Sequence, residues 1–182
     1  MKDAKLKLAA GFAAGLAAAL CSVGVPHFAR ADGRDTSSER LQRLEARQEI
    51  EELFTAYGAT LDRQDWDGFG QLFAADAVYG GGAGEPARGR AAIQALLQKQ
   101  ITSNPANLPK PDFHLFFNPS IHVEGERATA QSKGAYVIPD VRTNGAEIVF
   151  LVSYEDVLVR RGGHWLFQQR ILRSGIPAPR PK

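Results

Sequence analysis

Residues 41–73 read LQRLEARQEIEELFTAYGATLDRQDWDGFGQLF. Within them Leu41, Leu44, Ile50, Leu53, Phe54, Tyr57 and Leu61 recur at mostly three- and four-residue intervals, with Glu, Arg and Gln between. That period matches the 3.6-residue turn, so the spacing predicts one amphipathic helix of about 25 residues, starting near Ser37-Ser38-Glu39. Asp65-Trp66-Asp67 then predicts the cap of a second, short helix through Phe73, with Trp66, Phe69, Leu72 and Phe73 turned inward.

Downstream the character of the chain changes. Ala77–Tyr79 predicts a short strand, and Gly80–Gly84 a flexible loop that lacks both the GxGxxG and the GKS/T phosphate-cradle patterns. Arg90–Ile101 predicts a third helix with Ile93, Leu96 and Leu97 inward, and Asn104–Pro111 a proline-rich loop. The remainder is rich in Val, Ile, Phe and Tyr and predicts strands over 113–117, 120–124, 128–139, 146–160 and 164–172. Arg161-Gly162-Gly163 predicts the last tight hairpin, and the proline-containing tail 175–182 an extended or disordered end. No internal repeat is visible. Helices first and an antiparallel sheet second specify α+β rather than alternating α/β. A long curved sheet wrapped around a long helix would enclose an apolar pocket, the kind of concavity that takes small ligands.

The first 31 residues read differently. Three lysines against one aspartate precede Leu8–Val25, which carries no charge and is mostly Ala, Leu, Gly and Val. Ala29-Arg30-Ala31 follows, so the order is that of a secretory signal peptide cleaved after Ala31. An uncleaved anchor is the alternative, since 18 uncharged residues nearly span a bilayer. The small residues and the A-x-A ending favour cleavage and a periplasmic or secreted protein. The organisation is then a signal at 1–31, a polar lead-in at 32–39, one domain at 40–174 and the tail. Without residues 1–31 the net charge of +2 becomes −1, with 18 Lys and Arg against 19 Asp and Glu, and the only Cys is lost. A basic nucleic-acid surface and a cysteine metal site are thereby excluded by composition. Contact with a membrane is expected only through the export signal. Three histidines remain, His114, His122 and His164.

Three polar residues have apolar neighbours that carry them inward. Asp62 follows Leu61 at the end of the long helix, His114 interrupts the apolar Phe113–Phe117, and Tyr57 lies on the helix's apolar stripe. An aspartate bonded to an imidazole fixes its tautomer and stabilises the imidazolium, and a tyrosine hydroxyl can stabilise an oxyanion. Five residues rotate about 140° on an ideal helix, so Tyr57 and Asp62 share a cavity only if the helix ends at Asp62. Taken singly, each also has an ordinary structural reading: a helix-end carboxylate, a satisfied core histidine and a packed tyrosine.

A wider resemblance joins these residues. Arg47–Phe73 with its Tyr-x4-Asp-x2-Asp-Trp-Asp core, Leu72-Phe73-Ala-Ala-Asp76, Gly89-Arg90-Ala-Ala-Ile93, His114-x3-Asn118-Pro119, Val123–Ala128 and Gly162-Gly-His-Trp165 resemble SnoaL-like proteins. These belong to the nuclear-transport-factor-like superfamily of α+β cones, which includes scytalone dehydratase, bile-acid dehydratase and hexachlorocyclohexane dehydrochlorinase. The resemblance covers roughly residues 40–174. It implies a cone-shaped barrel whose mostly antiparallel sheet wraps the N-terminal helix around an apolar pocket. It further implies a His114–Asp62 dyad assisted by Tyr57, working without metal or organic cofactor on a small hydrophobic molecule. The chain departs from scytalone dehydratase at Leu61, where that enzyme has a tyrosine.

Phe116, Trp66, Asn118 and Arg170 are the candidate substrate-binding residues. Asn118 is read as either a ligand donor or a turn former, Trp66 also as core, and Arg170 as facing either cavity or solvent. A homo-oligomer, dimer or trimer, is expected. Three functions remain open at this level: a lyase or isomerase, a binding protein using the same pocket without turnover, and an interaction module pairing through its sheet. The first requires His114 and Asp62 within hydrogen-bond reach, both facing an enclosed cavity large enough for a substrate. The last requires a blocked pocket and an exposed apolar sheet face.

Overall fold

The computed structural model describes residues 36–174 apart from 82, 83, 105, 106, 108 and 141. The segment 1–31 expected to be a signal peptide, the first part of the expected lead-in and the tail 175–182 lie outside the described residues. Helix α1 spans Ser37–Arg63 and opens with a capping box, in which the Thr36 side chain accepts from Glu39 N and the Glu39 carboxylate accepts from Thr36 N. Gln64 in the left-handed region ends it. Its buried stripe runs Ala46, Ile50, Leu53, Phe54, Tyr57 and Leu61. Leu41 and Leu44, which the periodicity assigns to the same stripe, are exposed, because the first two turns precede the packed segment.

Helix α2, Trp66–Gln71, is capped by Asp65, whose carboxylate accepts from Gly68 N at 2.9 Å. It stops short of the expected end: Phe73 instead opens strand β1, Phe73–Gly80, while remaining fully buried. A two-residue strand β2, Ala87–Arg88, precedes helix α3, Arg90–Ser103, which buries Ile93 and Leu97. Strands β3 (Phe113–Glu124), β4 (Arg127–Asp140), β5 (Gly145–Arg161) and β6 (His164–Ser174) complete the chain. The two strands expected over 113–117 and 120–124 are one. The register shifts between Phe117 and Ser120, where Asn118 takes φ 54°, so the break in apolar alternation marks a bulge rather than a strand end.

The sheet order is β2-β1-β6-β5-β4-β3, antiparallel throughout except for the β1–β6 pair. This is the expected α+β architecture, a curved six-stranded sheet with the long N-terminal helix against it. Aromatic rings from every layer meet under α1. Tyr57 lies 5.3 Å from Phe69, 5.7 Å from Phe167 and 5.4 Å from Phe116, and Phe73 lies 5.3 Å from Phe167. Tilted and edge-on pairings of this kind are among the arrangements that aromatic rings prefer.

Candidate active site

Asp62 stands in the last turn of α1, and His114 stands second in β3. Along β3 the odd residues Phe113, Leu115 and Phe117 face outward and are exposed, whereas His114 and Phe116 face the helix. Asp62 Oδ1 accepts from two donors of one residue, the His114 ring Nδ1 at 2.7 Å and the His114 main-chain N at 3.0 Å. The side chains of His114 and Asp62 are 14% and 24% exposed, so the pair is shielded but reachable.

The approach of helix and strand depends on Gly58. A β-carbon there would stand 2.9 Å from the His114 carbonyl oxygen and 3.1 Å from the Phe116 ring. Both atoms belong to β3, so Gly58→Ala pushes the strand, and the imidazole with it, away from Asp62. The expected cost is about 1–3 kcal/mol, measured by chemical denaturation, together with loss of the low-field proton resonance of a short His–Asp hydrogen bond. An unchanged resonance and unchanged stability would show that the contact tolerates the methyl group.

His114 lines a cavity of about 270 Å³ bounded by α1 (Tyr57, Leu61), α3 (Leu97, Gln100, Ile101), β1 (Tyr79), β4 (Tyr136), β5 (Phe150, Tyr154) and Leu172. Asn104 and Lys110 complete it. Asp62 does not line it, so the expectation that both residues face the cavity holds for His114 alone. The helical rotation between Tyr57 and Asp62 keeps the tyrosine in the cavity and leaves the carboxylate off its wall, in contact with the imidazole.

Four tyrosines converge on this space. The hydroxyls of Tyr57 and Tyr79 are 3.2 Å apart. Burial pushes the Tyr57 phenol well above its ordinary value and the Tyr79 phenol up to about 12, so both keep their protons. Burial likewise raises Tyr154. Tyr136 packs its ring 4.9 Å from the His114 ring and 5.4 Å from Phe150. Its hydroxyl donates to Asp112 Oδ2 at 2.6 Å, and burial together with that bond raises its phenol. Burial opposes the Asp112 charge, but the hydrogen bonds from Lys110 and Tyr136 outweigh it and hold this carboxyl below the usual range.

Of the residues named from sequence, His114 touches Asp62 and shares the cavity wall with Tyr57, and the four substrate-binding candidates are not on that wall. Asn118 sits exposed at the β3 bulge, where its left-handed backbone makes it a turn residue. Phe116 packs its ring edge-on against Tyr57, behind the cavity. Trp66 packs on Phe69. Arg170 faces neither cavity nor solvent. It is 0% exposed, beneath the rings of Tyr57 and Tyr154.

Tyr79, Tyr136, Asp112 and Lys110 were missed. Tyr79 stood in a recognised strand, and Tyr136 faces His114 across the β3–β4 ladder, a pairing that only the register discloses. Among the described residues no cluster of three or more His, Cys, Asp or Glu is arranged to hold a metal ion.

A SnoaL-like domain model matches residues 42–171. Among solved structures, an NTF2-like protein with a cystatin-like fold from Novosphingobium aromaticivorans is 25% identical, with a TM-score of 0.68 over 80% of this chain and 94% of that one. A protein provisionally named scytalone dehydratase from the same organism is 22% identical, with a TM-score of 0.63 over 75% and 89% of the two chains. ActVI-ORFA from Streptomyces coelicolor is 20% identical, with a TM-score of 0.63 over 72% and 98%. No curated protein matches the sequence. With the family model spanning most of the chain and the fold agreeing over the same stretch, this protein belongs to the SnoaL-like family.

Proposed function

We propose that this protein is a cofactor-independent lyase or isomerase in which His114 removes a proton from a carbon beside a carbonyl-like group of a small hydrophobic substrate. The observation that carries this reading is the 2.7 Å contact between Asp62 Oδ1 and the Nδ1 of His114, whose ring lines a cavity of about 270 Å³. An ionised carboxylate can only accept, so Nδ1 carries the hydrogen and Nε2 is left as the base. Asp62 then stabilises the imidazolium as it forms. The family match and the likeness to a protein provisionally named scytalone dehydratase favour this class of chemistry.

Tyr57 and Tyr79 supply the electrophilic side. One hydroxyl donates to the other, which leaves one phenolic proton for the substrate oxygen on which negative charge collects. Tyr136 cannot take that part, because its proton is committed to Asp112. The enolate so formed either expels a leaving group, which takes the proton from His114 Nε2, or is reprotonated at another carbon.

The test begins with native mass spectrometry of protein from its own source, to identify a retained molecule. That molecule, or its unreacted precursor, is then incubated with enzyme purified free of added metal and cofactor. Conversion supports the reading. Binding with the molecule returned unchanged by the wild type overturns it in favour of a carrier. With turnover in hand, the double change Tyr57→Phe with Tyr79→Phe lowers kcat by about 10²–10³-fold, and either single change costs less because the partner still has a proton to give.

A further inference from the structure

We propose that Arg170 is an electrostatic positioning residue for the tyrosine oxyanion site, a buried cation whose field strengthens the Tyr57–Tyr79 phenols as donors without touching substrate. Its part in catalysis rests on the lyase or isomerase reading, whereas the electrostatic coupling does not.

The guanidinium carbon lies 4.2 Å from the Tyr57 ring centre and 3.9 Å from that of Tyr154, and both rings line the cavity. Phe167, Phe116 and Phe54 surround it at 4.5, 5.3 and 5.5 Å. Arg170 itself does not reach the cavity wall. Its nitrogens make no well-aligned hydrogen bond among the described residues. Its counter-charge is Asp156, 3.4 Å away and equally buried, whose oxygens also lack an aligned hydrogen bond. A buried pair with such loose geometry is a poor source of stability, and apolar side chains of similar volume would serve packing as well. What the pair supplies that apolar residues cannot is a fixed field.

A cation on a ring face is attracted to the ring's electrons, and far more strongly once the phenolic oxygen carries negative charge. When the substrate oxygen becomes anionic, its hydrogen bond shifts charge onto the phenol. Arg170 therefore favours the transition state over the bound ground state, which is the differential needed to raise kcat. Exclusion of water keeps the field unscreened. Asp156 opposes it. Although burial dominates the acidity of Tyr57, Tyr79 and Tyr154, in each case Arg170 makes the phenol more acidic and Asp156 less so.

The experiment places 3,5-difluorotyrosine at position 57 of the intact protein and follows its ionisation by fluorine NMR, with circular dichroism to confirm folding. Arg170→Met moves the midpoint up by about one unit or more, Arg170→Lys restores most of the wild-type value, and Asp156→Asn moves the midpoint down. A structural role does not produce opposite shifts from the two members of one pair. If Arg170→Met fails to fold, Asp156→Asn decides by itself. Midpoints that stay at the wild-type value, or move the same way in both variants, overturn the proposal. Because the titration involves no turnover, a failed lyase reading leaves its outcome intact. Where turnover is established, Arg170→Met lowers kcat with KM nearly unchanged.

Discussion

His114→Ala lowers kcat/KM by about 10²–10⁴-fold, the range over which a positioned general base contributes. The change removes the only imidazole among the described residues at the cavity wall, and the tyrosines cannot substitute, since burial keeps their phenols protonated. Asp62→Asn reaches a similar loss by another route. The amide can present its NH₂ to Nδ1, favouring the tautomer whose Nε2 is no longer basic. Because the two residues act as a unit, the double variant is about as impaired as either single one. Steady-state kinetics on the identified substrate, with nitrogen-15 histidine NMR to read the tautomer, checks both statements. Full turnover in either single variant would sink the dyad mechanism.

The second large effect concerns stability. Burial raises the Asp156 carboxyl to about 6 despite the nearby Arg170 cation. The folded protein therefore holds this proton more tightly than the unfolded chain, whose value is near the ordinary 3.8. By linkage, stability falls as pH rises between those two values, by about 3 kcal/mol in all, and is recovered on acidification. Replacing Asp156 with Asn flattens that segment of the profile. Arg170→Met steepens it: the uncompensated buried carboxylate costs about 3–5 kcal/mol near neutral pH, and the deficit shrinks as Asp156 protonates. Denaturant midpoints at about pH 5 and about pH 7.5 for the three proteins supply the comparison. Equal slopes in wild type and Asp156→Asn would show that Asp156 does not titrate in this window.

Much of the architecture was legible because it is written in local periodicity. The stripe from Ile50 to Leu61, the Asp65 cap and the Gly162-Gly163 hairpin each need only neighbours in sequence. The errors have the same origin. Leu41 and Leu44 keep the helical period but lie beyond the packed segment, and Phe73 suits a helix face as well as the first position of a strand. The dyad was legible through the resemblance, since spacing alone cannot bring together residues 52 positions apart. Tyr136 and Tyr79 became visible only with the strand register. Arg170 shows the opposite failure: alternation left cavity or solvent as its two faces, whereas the aromatic rings make a third environment between them.

Among the described residues strand β3 is the last strand of the sheet, so its outward amides have no neighbouring strand there to pair with. Asp62 receives one of them, the His114 N–H, with the same oxygen that holds the imidazole. The carboxylate thus stands in for a missing seventh strand at the very residue that would do the chemistry. An unprotected edge invites pairing with another chain, and a charged group seated on it blocks that contact. In the proposed mechanism one carboxylate thus serves both the chemistry and the cover of an edge amide, and a lineage without the reaction would still have reason to keep Asp62.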